Sequence, residues 1–166
     1  MYILTANADL SNIKVALNLC KDHIGVHWSY QPDGKRLIGY GYRPTGEKPN
    51  CLMEVNEDGT GYHPLSTSTI GGGHPSRHPF LDHLVMTDRY QGELDHFCMI
   101  DLRTDRVVWN FAVPEANGVV ESGRNPSHVD NHPVFSRDGR SVWLNRMENG
   151  LAQLVRVDIP EGILNA

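Results

Sequence analysis

"HWSYQPDGKRLIGYGY" runs from His27 to Tyr42. A histidine heads a short extended piece, Asp33-Gly34 is a strong tight-turn dipeptide, and the residues from Arg36 onward read as a strand returning antiparallel to the first. The plan recurs twice. "HPSRHPFLDHLVMTDRY" covers His74 to Tyr90 with a turn at Asp82-His83, and "HPVFSRDGRSVWLNRM" covers His132 to Met147 with a turn at Asp138-Gly139. After each comes a further strand or strand pair: "PNCLMEVNEDGTGYHPL", "DHFCMIDLRTDRVVWNF" and "LAQLVRVDIP".

One copy is therefore strand, turn, strand, strand, turn, strand, which is a four-stranded antiparallel sheet. The turns stand about 50 residues apart, a spacing typical of propeller blades. No stretch keeps a helical period, and 16 glycines and 10 prolines in 166 residues argue for low helix content. The expected fold is all-β, a β-propeller fragment of about three four-stranded antiparallel blades. Its expected segments are a remnant of a preceding blade (1–20) and blades at 21–68, 69–120 and 121–166, the last lacking a strand or taking it from elsewhere. Closed propellers need typically 4–8 blades. The expectation is thus a piece of a longer product, the rival being a small propeller completed by self-association.

A hydrophobic share of 39% and a charged share of 21% are those of a globular chain. A net charge of -5 with no basic run speaks against nucleic acid or a membrane surface as partner. Cys20, Cys51 and Cys98 are odd in number and form no CxxC pair, which suits free thiols in a reducing compartment. With no signal-peptide pattern at the start, the expected location is the cytoplasm.

Chemistry concentrates in "SHVDNHPVFSRDG", Ser127 to Gly139. His128, Asp130 and His132 fall within five residues, a costly cluster unless solvated, hydrogen-bonded or bound to something. Histidine with aspartate suits manganese, iron or zinc, and no cysteine is placed to compete. Arg77, Arg89 and Arg124 lie near the heads of the copies and could hold carboxylates bidentately. Plainer readings stand beside these. A His-Pro opening a strand can be a structural cap, and the arginines can be ion pairs. Trp28, Trp109 and Trp143 can be packing aromatics between sheets, and His63 and His96 can be solvated. His78 and His83 belong to an irregular turn, because "RHPFLDH" stands where the other copies have a Gly-containing turn.

The head-histidine, PDG and strand pattern resembles propellers of the TolB type, and within them oligogalacturonate lyase, a polysaccharide lyase family with a seven-bladed propeller. Three stretches carry the resemblance: "VHWSYQPDG", "GGHPSRHPFLDHLVMTDRY" and "SHVDNHPVFSRDG". It implies that His27 is the proton-abstracting base and that His74 and His132 bind a manganese ion. Asp130 would stand where the family has a further histidine. Ser127 stands where it has a glutamine, and His128 could replace that ligand. The resemblance covers nearly the whole chain but only the C-terminal half of such an enzyme. The family's arginine on the outer strand of the preceding blade has no counterpart, Tyr2 falling near its place. Its implied activity is metal-assisted β-elimination of an oligogalacturonide or another acidic sugar; the alternative is a non-catalytic propeller module that binds proteins or ligands.

Overall fold

In the computed structural model, residues 1–19, 25–42, 51–67, 73–91, 94–114, 130–148 and 151–165 are described. They form antiparallel sheets and one four-residue helix, α1 (Glu161–Leu164). Among them no helix is long and apolar enough to cross a membrane. The chain divides into two compact units, Met1–Pro75 and Ser76–Ala166, and each is a pair of sheets.

In the first unit, β1 (Tyr2–Thr5) and β2 (Lys14–Asn18) form a two-stranded ribbon. Beside it, β3 (Val26–Tyr30), β4 (Arg36–Gly41), β5 (Cys51–Asn56) and β6 (His63–Ser66) make a four-stranded sheet in sequence order. The central strands β4 and β5 are buried on both faces, which is why "LIGYG" and "CLMEV" do not alternate apolar with polar, the one charge, Glu54, being bonded to Gln31 and Arg36. Ala16, Leu17 and Leu19 of the ribbon pack with Leu37 and Val55 of the sheet, and Ile3, Trp28 and Tyr62 lie against them. Trp28 is placed by glycines of its own sheet: a side chain at Gly39 would collide with the indole, and one at Gly25 would come within 2.7 Å of its Nε1.

In the second unit, β7 (Ser76–Arg77), β8 (Leu84–Gln91), β9 (Leu94–Asp101) and β10 (Arg106–Pro114) form a four-stranded sheet in the order β10-β9-β8-β7. The next sheet has three strands among the described residues: β11 (Val134–Phe135), β12 (Ser141–Glu148) and β13 (Leu151–Asp158). Leu84, Met86, Phe97 and Met99 of the first sheet close on Val142 and Leu144 of the second, with Ile159 completing the cluster.

The repeated turns are built alike. Gly34 at φ 65° and Gly139 at φ 71° occupy the left-handed region, where a side chain is strained. Asp33 Oδ1 accepts the Lys35 N–H at 2.9 Å and Asp138 Oδ1 accepts that of Arg140 at 3.0 Å, so each aspartate folds the loop that its glycine closes. The two-residue turn expected at these dipeptides is longer: ladder bonds Gln31 N–H to Arg36 O (2.8 Å) and Ser136 N–H to Ser141 O (2.8 Å) enclose four residues.

The middle copy lacks the glycine, and His78 does its work. The ring is buried. Its Nδ1 accepts the backbone N–H groups of Phe80 (3.1 Å) and Leu81 (2.9 Å), which shapes the Pro79–His83 loop. An acceptor Nδ1 leaves the proton on Nε2, which donates to the Gly139 carbonyl at 2.9 Å. His78 thus ties the turn of one sheet to the turn of the next. Burial holds it below its ordinary pKa, with His83 adding to the effect and the Gly139 bond opposing it.

Candidate functional site

His27 and His132 share a rare backbone state. Their φ angles are 58° and 43°, in the left-handed region that non-glycine residues seldom enter. Each costs about 1–2 kcal/mol relative to an ordinary conformation. Each also sits where pairing at the head of a sheet becomes irregular. The β3–β4 register shifts between Val26 and Ser29, around His27. Continuing the β11–β12 register would set His132 opposite Asn145, yet the Asn145 N–H reaches the carbonyl of Asn131, one residue earlier, at 2.7 Å. Bulges of this kind re-aim a side chain out of a sheet's alternation.

Within the first unit, His27 and His74 come together. Their rings stack with centroids 4.0 Å apart and planes inclined by 25°. His27 is exposed and His74 buried. His27 Nδ1 lies 2.9 Å from the Gly73 carbonyl oxygen. A carbonyl can only accept, so Nδ1 carries the proton and the neutral ring keeps its lone pair on Nε2. The hydroxyl of Ser29, two residues on, donates to the Pro75 carbonyl at 3.3 Å, a second tie between β3 and the segment carrying His74.

Within the second unit, Asp130 and His132 precede β11 and are both exposed, with the buried Asn131 between them. A carboxylate oxygen of Asp130 and a ring nitrogen of His132 lie within 4.8 Å of each other. Arg77, on β7 opposite Val85, is buried, whereas Arg89, on β8 opposite His96, is exposed. Only the exposed one is open to a carboxylate from solvent. His128 and Arg124 lie outside the described residues. Tyr2, on β1, is exposed.

His63 is exposed, with Nδ1 2.6 Å from the Gly61 carbonyl. Trp109 and Phe111 lie partly buried against the second unit's core, their rings 4.9 Å apart. Burial pushes the Cys98 thiol up to about 11, so it is no thiolate nucleophile at neutral pH. Asn145 escaped the sequence reading, and so did the bond that His78, already placed in an irregular turn, makes to Gly139. Asn145 could have been suspected from an amide residue in the middle of a strand.

Comparison with solved structures places the fold. The chain is similar to TolB from Acinetobacter baumannii (TM-score 0.66, 16% identity, covering 97% of this chain and 36% of that one). It is similar to an oligogalacturonate lyase solved in complex with manganese (TM-score 0.63, 15% identity, 97% and 42%). A third likeness is to oligogalacturonate lyase from Vibrio parahaemolyticus (TM-score 0.61, 14% identity, 96% and 42%). The common element is the TolB-like propeller fold, and the all-β propeller architecture expected from the repeats is what the structure has. The chain spans less than half the length of these proteins. No family model matches it, and neither does any curated protein.

Proposed function

We propose that the chain carries the base and the cation-binding groups of a lyase acting on an acidic sugar polymer by β-elimination. The observation that carries this reading is the pair in the second unit, a carboxylate oxygen of Asp130 and a ring nitrogen of His132 within 4.8 Å of each other; His74 is the third ligand in this proposal. Two imidazoles and a carboxylate fit a borderline divalent cation such as manganese, iron or zinc. Once bound, the cation would supply positive charge against the uronate carboxylate as negative charge builds there.

The chain's own residues supply the rest. His27, its Nδ1 proton held by Gly73, presents Nε2 to take the proton from C5, next to the carboxylate. The C5–H electrons form the C4–C5 double bond as the C4–O bond breaks; its electron pair leaves on the oxygen of the departing sugar, which takes a proton from water, and an unsaturated uronate remains. Stacking on His74 fixes the His27 ring plane, so the base is oriented by the same residue that would hold the cation.

Isothermal titration with Mn2+ after chelator treatment tests the cation site. Uptake of about one ion per chain, lost in His132→Ala, supports it; no uptake would leave the non-catalytic binding-module reading. Incubation with oligogalacturonides, followed by the ultraviolet absorbance of unsaturated uronate, tests the reaction.

A further inference from the structure

Asn145 is out of place by strand chemistry. It sits in the middle of β12, opposite Leu154, although asparagine is among the residues depleted in strands. A local rule broken inside an otherwise regular element usually marks a second task. Here the task is visible. The Asn145 backbone N–H donates to the Asn131 carbonyl at 2.7 Å, and its side-chain Nδ2 donates to the Asp130 carbonyl at 3.3 Å. One residue thus holds two successive carbonyls of the segment that leads into His132. That segment needs holding, because His132 is in the left-handed region at φ 43° and Pro133 follows it with no N–H to add to the ladder.

We propose that Asn145 is a positioning residue for the cation site: its two hydrogen bonds clamp the Asp130–Asn131 peptide units and so fix the directions of the Asp130 and His132 side chains. The inference rests on the reading of Asp130 and His132 as cation ligands. The backbone bond survives any substitution, so the side-chain amide is the separable part. Without it, the Asp130 carbonyl loses this bond while the strand pairing of β12 with β13 remains.

Two measurements on the 166-residue chain test this. In Asn145→Leu, titration with Mn2+ should show affinity weakened by about 10–100-fold, as for other residues that orient ligands. The thermal midpoint of the metal-free protein should stay near that of the parent, and Asn145→Gln, which restores an amide donor, should recover part of the affinity. Unchanged Mn2+ affinity in Asn145→Leu overturns the proposal. In the metal-free protein, amide hydrogen exchange supplies a readout independent of the ion. The Asn145 N–H, which donates to the Asn131 carbonyl, should lose protection in Asn145→Leu while the amides of β13 keep theirs. Equal protection overturns the clamp; lost protection in a chain whose parent takes up no Mn2+ upholds the clamp and refutes the cation site instead.

Discussion

The backbone at His27 and His132 is left-handed, and this inverts an ordinary rule of substitution. In a strand, glycine is normally less stable than alanine by roughly 0.5–1 kcal/mol. At φ 58° alanine keeps the strain that histidine carries and glycine releases it. His27→Gly should therefore melt above His27→Ala by roughly 3 °C, corresponding to about 1 kcal/mol in a domain of this size. Calorimetry of the two variants checks the order; the reverse order would mean that the left-handed backbone is not the populated one. Chemistry separates the two histidines. In a protein that performs the proposed elimination, His27→Ala should lower turnover by roughly 10²–10⁴-fold with Mn2+ uptake retained. His132→Ala should remove uptake and turnover together. Mn2+ titration beside the ultraviolet assay distinguishes the two outcomes.

Between elements, the bond from His78 to the Gly139 carbonyl joins two turns that are 61 residues apart. A side chain at Gly139 would meet two strains, the φ of 71° and a direct collision with the His78 ring. Gly139→Ala should cost about 1–3 kcal/mol, read as a lower urea midpoint at unchanged slope. Burial of the same ring predicts a pH dependence. The folded pKa of His78 is lowered, so the unfolded chain binds the proton more readily. Its contribution is complete above the unfolded value of roughly 6.5 and is lost as pH falls through that value toward the lower folded one. The midpoint should drop between pH 7 and pH 5, and the slope should flatten in His78→Gln. What could be read beforehand follows from what each device encodes. The Asp-Gly turns and the apolar strands announced themselves because turn chemistry and burial are local. The tie from His78 to Gly139 hid because the two are distant in sequence. The His27–His74 stack and the Asp130–His132 pair were legible only as the head positions of copies, and the bulges that aim them leave no mark in composition.

Across the whole molecule, the last sheet has three strands among the described residues where two others have four. Its β13 is at the edge, eight residues long, with Leu151 and Leu154 66% and 63% exposed. Such an edge is a template for pairing with another strand. The chain should associate as its concentration rises, and Leu154→Lys should suppress this in light scattering without lowering the thermal midpoint. Association unaffected by the lysine would place the contact elsewhere. The bulges at His27 and His132 have a different consequence at this scale. A bulge adds its residue to one strand, and regular pairing continues beyond it with the register moved by one, as Ser29 with Ile38 does. Chemistry and scaffold can therefore diverge at separate rates, and the histidines could be exchanged over evolutionary time while every sheet persisted. Kinship of reaction among such proteins is then better traced through torsion angles than through residue identity. A histidine in the left-handed region at the head of a sheet, recurring in one chain, is the heritable mark to seek.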